Sequence, residues 1–491
     1  MDVWQKLEKR AWSQAHSTAL IQNDEQVSFQ DWLARAQGAR AQLQRLGIRR
    51  GDAVALLMPN GIEFAYLYCA ILGEGAVATP IDHRMGLPEL RHILGRTKSR
   101  LLLTTPDHPH LDALQSIVDT ILVTRGDPAL FSPPTTPPAM LPVQEEDTAL
   151  YLHTSGTTSQ PKIVELTRTH LDEFPKAMQH GVRVGASDIW GMVLPMSHIS
   201  GPIIINAILS LGGTMVIFDQ LTPQNILGAI QRHRITVIHG VPPIFQMLLK
   251  GNPTAYDTSS LRLLAMMGTS VPMPVMRAVQ AAFPHARLLQ GYGLTETSPL
   301  LTLTPIDDAH GRMDSIGKAV VDAELAIMDA AGRLLDAGEE GEIVARGPMI
   351  MKGYLDDPAA TQARWRHGWF CTGDAGRYDQ EGFFYHLGRL DDMIVTGHGL
   401  NVFPSEIETC LLEHPDVQEA AVVGRHDRDR GEELHAFVAL RSGAAVSATE
   451  LRAYCSQHLA SYKVPRRVHI MPELPKNATG KVVKNALATG S

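Results

Sequence analysis

Short apolar runs alternate with longer helix-patterned stretches through the first half of the chain, and no other feature limits the fold so strongly. "AVALLMP" (53–59) reads as a buried strand, and "GIEFAYLYCAILGEGA" (61–76) reads as a helix ending in glycine. "RLLLTT" (100–105) and "TILVT" (120–124) read as further strands. This alternation predicts an α/β fold with a doubly wound, mostly parallel sheet. "SPPTTPPAMLP" (132–142) reads as a surface connection leading into the next strand. "TVIHGVPPIF" and "LRLLAMMGTS" add two strand-to-loop units.

From about residue 315 the texture changes. "AELAIMD", "GEIVARG" and "GFFYHLGR" are short strands between Gly and Asp turns, which predicts a β-rich subdomain. After Arg389 it changes again. "PSEIETCLLEHP" is an amphipathic helix, "VQEAAVVG" and "LHAFVAL" are strands, and "SATELRAYCSQHL" is a capped helix. The expected division is a large N-terminal domain over 1–388 and a small α+β domain over 392–491.

A chain of 491 residues with 44% hydrophobic and 20% charged content suits a globular enzyme of more than one domain. The net charge of −8 argues against a general nucleic-acid binder, although a nucleotide site needs only a few local cations. Cys69, Cys371, Cys410 and Cys455 form no CxxC pair. Neither a zinc site nor a disulfide framework is expected, and a reducing, cytoplasmic setting fits. "MDVWQKLEKRAWSQAHS" carries charges throughout and lacks the apolar run of a secretory signal. "GPIIINAILSLGGTMVIF" (201–218) is long and apolar, but Asn206, Ser210, Gly212, Gly213 and Thr214 interrupt it. It reads as a buried helix and a buried strand rather than a membrane span.

"YLHTSGTTSQPKIVELT" (151–167) has the makings of a phosphate loop. Thr154, Ser155, Gly156, Thr157 and Thr158 precede Lys162, so hydroxyls and backbone N–H groups can wrap phosphate oxygens beside a point charge. It is not a Walker loop: Pro161 stands in the glycine position and Ile163 in that of the magnesium-binding hydroxyl. A plain polar turn is the alternative on this stretch alone. "LLQGYGLTETSP" (288–299) sets Tyr292 between Gly291 and Gly293, a flat ring suited to a base or acyl group on exposed backbone. Thr295 follows, and Glu296 is the hard oxygen ligand that Mg²⁺ prefers. "WFCTGDAG" (369–376) is expected to place Asp374 in a turn, where a carboxylate can grip two ribose hydroxyls. "GRLDDMIVTGHGLNVFPSEIE" (388–408) reads as a hinge, and "PKNATGKVVKNAL" (475–487) carries an exposed Gly480–Lys481 step.

With these motifs in this order, the sequence resembles the adenylate-forming enzymes: acyl-CoA synthetases, peptide-synthetase adenylation domains and luciferases. The resemblance runs from about residue 15 to 488. It implies that the Thr154–Lys162 loop contacts the β- and γ-phosphates of ATP. Gly291 and Tyr292 would lie along the adenine, Thr295 near the α-phosphate, and Glu296 on Mg²⁺. Asp374 and Arg389 would bind the ribose. Asp391, within a hinge at 389–391, would let the C-terminal domain turn, and Lys481 would bridge the substrate carboxylate and the α-phosphate. Gly397 and Gly399 would lie along CoA.

Three departures from that family's pattern stand out: Ser159 in a glycine position, Ile163 in a small-residue position, and an extra residue around His398 to Leu400, where the pantetheine arm would pass. For the acyl pocket, "LPMSHISG" (194–201) offers His198, and "MMGTSVP" (266–272) offers Met266, Met267 and Gly268, with Gly293 nearby. No acid occurs between Gly191 and Gly213, so the ammonium of an α-amino acid would lack a partner. Methionines and the apolar 202–209 stretch suit a fatty or aryl group, although 203–209 reads equally well as core. Lys463, Arg466, Arg467, Lys476, Lys481 and Lys484 against one Glu473 suggest a cationic patch for CoA or an acidic carrier protein, with a solvated face as the alternative.

The expected activity is an acyl-CoA synthetase that uses ATP and CoA and releases AMP and pyrophosphate. The alternatives are a ligase that loads the phosphopantetheine of an acyl carrier protein, and a nucleotide-binding regulator without catalysis. No oligomeric state follows from the sequence.

Overall fold

A computed structural model describes residues 1–124, 128–136, 142–154, 161–268, 271, 273–308, 312–396, 401–427, 431–476 and 482–488. Two large mixed sheets dominate it. In spatial order the first runs Gly353–Tyr354, Ile163–Thr167, Thr148–His153, Val77–Ile81, Ala53–Leu57, Leu101–Thr104 and Thr120–Val123. From Thr148–His153 onward the neighbours are parallel, and the two strands at the other edge are antiparallel. The second runs Lys318–Ala319, Thr302–Leu303, Arg287–Tyr292, Leu263–Met267, Val237–Gly240, Ile189–Met192, Thr214–Ile217, Thr18–Gln22 and Glu25–Ser28. Its middle is parallel and its edges are antiparallel.

Every residue of Ala53–Leu57, Val77–Ile81 and Leu101–Thr104 is buried, which explains why these strands read as continuous apolar runs. The helix Ile62–Gly73 is also buried on all sides and so lacks an amphipathic pattern. The 201–218 run forms the buried helix Ser200–Leu211 and the strand Thr214–Ile217, as its interruptions indicated. Gly212 ends that helix at φ +87°, where a Cβ would also stand 2.5 Å from the Gln14 side chain. Among the described residues, no helix is long and apolar enough to cross a membrane.

The β-rich segment is an antiparallel sheet of Glu324–Met328, Gly341–Arg346 and Trp369–Tyr378, with Trp365–Arg366 and Phe384–Arg389 both paired to the last. Beyond it, Val417–Asp427, Gly431–Leu440 and Arg467–Met471 form a sheet. The helices Pro404–Glu413 and Ala448–His458 cover that sheet, and Val402, Ile407, Leu411, Val422, Val438 and Leu451 build a core of their own. Cys410 and Cys455, remote in sequence, meet there as free buried thiols.

The cationic patch expected in 461–484 is largely neutralised. Lys463 pairs with Glu406 at 2.6 Å, Lys484 with Glu408 at 2.7 Å and Arg466 with Glu433 at 3.6 Å, and Lys476 pairs with Glu419. These glutamates come from segments distant in sequence, so a local charge count misses them.

Candidate active site

Open α/β sheets place ligands at the carboxyl ends of their strands, and one strand of each sheet here, Thr148–His153 and Arg287–Tyr292, ends in a predicted motif. From the first sheet, Thr148–His153 leads into the predicted phosphate loop. The Thr154 N–H donates to the Lys162 carbonyl at 2.9 Å and closes the base of that loop. Ser155, Gly156, Thr157, Thr158 and Ser159 lie outside the described residues. Ile163 begins the next strand at 2% exposure and packs with Leu57, Ile81 and Leu102, so the bulky residue after the lysine is a core residue.

From the second sheet, Arg287–Tyr292 delivers Gly291 and Tyr292, followed by the single 3-10 turn Thr295–Thr297, which carries Thr295 and Glu296. A Cβ on Gly293 would lie 1.6 Å from the Pro299 carbonyl oxygen, so only glycine allows the chain to fold back here. Gly291 packs against Met267, whose Cε would stand 2.8 Å from an added Cβ.

Asp374 corrects one expectation. It is not in a turn but within the strand Trp369–Tyr378, and is 2% exposed. Arg389 is its direct cross-strand partner, which pairing between distant strands decides and local turn residues do not. The Tyr292 hydroxyl donates to Asp374 Oδ2 at 2.6 Å, while Arg389 lies 3.2 Å and His386 Nε2 3.4 Å from Oδ1. Burial raises the Asp374 carboxyl, but His386, Arg389 and Tyr292 outweigh it and hold it below the usual range. Burial, then the Asp374 charge, pushes the Tyr292 phenol well up, so its hydroxyl keeps the proton it donates. The Tyr292 and His386 rings lie 5.7 Å apart and form an aromatic wall beside the carboxylate.

A second cluster joins the two sheets. The Tyr354 hydroxyl donates to Glu296 Oε1 at 2.8 Å, and Lys162 Nζ sits 4.9 Å from the centre of the same ring. The Met351 N–H holds the Glu296 carbonyl at 2.8 Å. Tyr354 is positioned by antiparallel pairing of Gly353–Tyr354 with Ile163–Thr167, the strand just after the phosphate loop. Tyr354 and His386 were not singled out in the sequence. Tyr354 lies in a two-residue strand and His386 follows Phe384 and Tyr385 in its own, and only its partner marks each.

On the acyl side, Asn60 clamps the 194–201 loop: its amide donates to the Leu194 carbonyl at 2.8 Å and its oxygen accepts the Met196 N–H at 2.7 Å. His198 is exposed yet crowded, as in a cleft wall; desolvation and then His153 disfavour its charged form. Met266 and Met267 are buried, Gly268 has φ +89°, and Ile203–Leu209 is core. Asp391 is exposed in the 3-10 turn Leu390–Asp392, between the antiparallel sheet and the C-terminal core. Gly397, Gly399, His398, Leu400 and Lys481 lie outside the described residues.

The site therefore brings together a buried carboxylate, a loop lysine and a glutamate, with the buried Met266 and Met267 on the neighbouring strand. Residues 7–355 match the family model described as AMP-binding enzyme, and 406–481 match AMP-binding enzyme C-terminal domain. The chain is 33% identical over 485 residues to a 2-succinylbenzoate–CoA ligase of Bacillus subtilis (strain 168), covering 98% of this chain and 96% of the relative. It is 32% identical over 485 residues to a feruloyl-CoA synthase of an Amycolatopsis species, covering 97% and 96%. The solved O-succinylbenzoate coenzyme A synthetase of Bacillus subtilis in complex with ATP and magnesium ion superposes with a TM-score of 0.88 at 30% identity, covering 99% of both chains. The chain belongs to the AMP-binding enzyme family, within its AMP-forming acid–CoA ligases.

Proposed function

We propose that this ligase condenses a carboxylic acid with ATP to an acyl-adenylate and pyrophosphate, then passes the acyl group to the thiol of CoA and releases AMP. The observation that carries this reading is the junction of two clusters at the strand ends: Tyr292–Asp374–Arg389 and Lys162–Tyr354–Glu296. The first offers a fixed carboxylate to ribose hydroxyls. The second sets one cation and one carboxylate where a triphosphate and its metal would meet.

The residues fit a magnesium ion carried by ATP. Tyr354 occupies only one Glu296 oxygen, and no group of three metal-ligating side chains occurs among the described residues. A lone carboxylate is the usual protein share for Mg²⁺ held mainly by phosphates and water. Bound there, the ion would neutralise phosphate charge. The chain's own part is to hold the two anions together. Lys162 is assigned the screening of the phosphates, Thr295 a place near the α-phosphate, and Lys481 the bridge between carboxylate and α-phosphate. Asp391 is assigned the pivot on which residues 392–491 close over the adenylate and shield the mixed anhydride from water.

His198, Met267, Gly268 and Gly293 are assigned to the acyl pocket, and Gly397 and Gly399 to the path of CoA. The acid is a fatty or aryl acid: beside the relatives that act on succinylbenzoate and form feruloyl-CoA stands a long-chain-fatty-acid–CoA ligase at 32% identity. The test is pyrophosphate release with ATP and Mg²⁺ over a panel of acids, with and without CoA. Multiple turnover with one acid class, dependent on CoA, is the expected result. A single turnover unchanged by CoA would overturn the CoA step, and release that no acid stimulates would overturn the reading altogether.

A further inference from the structure

His239 is 5% exposed on the strand Val237–Gly240, yet its Nδ1 finds no hydrogen-bond partner among the described residues. Buried polar atoms are rarely left so, and an orphan beside a ligand cleft points to a ligand. Strand register and a ring stack place His239 beside the acyl-side residues. His239 is one residue short of the strand's carboxyl end, and the next residue, Gly240, is in register with Met266 of the acyl side. Its ring stacks on Phe174 of the helix His170–Val182 at 5.9 Å, which fixes the face it occupies. After burial, the charge of His198, on the 194–201 loop, is what disfavours a charged His239 ring.

We propose that His239 is the polar floor of the acyl pocket and selects an acid bearing a neutral hydrogen-bonding group, a hydroxyl or a carbonyl, at the end remote from the reacting carboxylate. This rests on the adenylation reading above. The charge environment rules out the alternatives. His198 acts on the His239 ring, and His153 and Asp82 act on His198; no Lys or Arg is among these groups. A second carboxylate would be buried without a cation. An ammonium would have only Asp82, which Arg84 already holds through Nε at 2.9 Å and Nη2 at 2.6 Å. A neutral hydroxyl or carbonyl needs no counter-charge. A neutral imidazole can meet it as donor or acceptor according to tautomer, and burial favours that neutral form.

The test uses acyl-sulfamoyl adenosines, stable mimics of the adenylate, titrated calorimetrically into the full chain as matched pairs. The pairs are benzoyl and 4-hydroxybenzoyl, cinnamoyl and 4-hydroxycinnamoyl, and hexanoyl with 6-hydroxyhexanoyl, 5-oxohexanoyl and adipoyl. At least one hydroxyl or oxo compound should bind about 30-fold or more tighter than its apolar counterpart, since a site built to bond a polar group rejects the analogue without it. His239→Leu should reduce that ratio to within about threefold, and His239→Gln should keep part of it. If no compound of any pair binds, the adenylation reading fails and takes this inference with it. If the pairs bind but no neutral polar compound is preferred, if adipoyl is preferred, or if the preference survives His239→Leu, the His239 assignment alone is wrong.

Discussion

Tyr354→Phe removes one hydroxyl and leaves the ring under Lys162, so it isolates the bond that orients Glu296. The bond is 2.8 Å to a carboxylate, and burial first, then Glu296, pushes the phenol up, so it donates at any working pH. Hydrogen bonds to charged groups contribute about 1.5–3 kcal/mol. Glu296 is only half-buried, which places the loss at the lower end, about 1.5 kcal/mol, or slightly more than tenfold. That agrees with the ~10–100-fold cost of removing a group that orients a metal ligand. The assay is pyrophosphate release at saturating acid and ATP with Mg²⁺ varied in excess over ATP. Half-saturation by Mg²⁺ should rise about tenfold, while KM for ATP moves little because the ring 4.9 Å from Lys162 remains. Tyr354→Ala, which also removes the ring, should raise both. A Tyr354→Phe enzyme whose Mg²⁺ half-saturation stays within about twofold of the parent would refute the link between Tyr354, Glu296 and the metal.

Asp374→Asn should raise KM for ATP by about 10–100-fold, because it removes the charge facing Arg389 and leaves an amide that offers ribose one acceptor; an unchanged KM would remove Asp374 from the nucleotide site. Gly293→Ala forces a Cβ onto the Pro299 carbonyl and should cost about 3 kcal/mol in urea unfolding together with adenylation; an equally stable, active variant would contradict the fold-back. Burial raises the Asp188 carboxyl, but Arg262, the Gly185 N–H and Thr236 outweigh it and lower its pKa on folding. Its stabilisation is therefore present above the unfolded carboxyl pKa of about 3.9 and is lost as pH falls through the lower folded value. The stability gap between Asp188→Asn and the parent should then narrow below about pH 4, and a pH-independent gap would reject that balance. Lys481→Ala should slow adenylate formation by about 10²–10³-fold in single-turnover measurements with little change in ATP binding; unaltered adenylation would free Lys481 of its assigned role.

The order of elements was legible in the sequence wherever burial is uniform or alternation is strict. Ala53–Leu57, Leu101–Thr104 and the helix–strand pair in 201–218 carry their burial in their composition, because a segment covered on every side must be apolar throughout. The glycine motif was legible for a similar reason: backbone that folds back tightly on itself needs glycine, as at Gly293 against the Pro299 carbonyl. Pairings across distance were not legible. Asp374 faces Arg389 because two strands align in register, and Tyr354 reaches Glu296 because an edge strand joins the sheet beside the phosphate loop. The glutamates that neutralise the 461–484 cations arrive from elsewhere in the chain. His239 reads in sequence as one polar residue in an apolar strand, and only its burial against Phe174 shows a nitrogen without a partner among the described residues. Composition and spacing act through near neighbours along the chain, whereas a side chain's charge state and hydrogen bonds depend on what the fold brings to it.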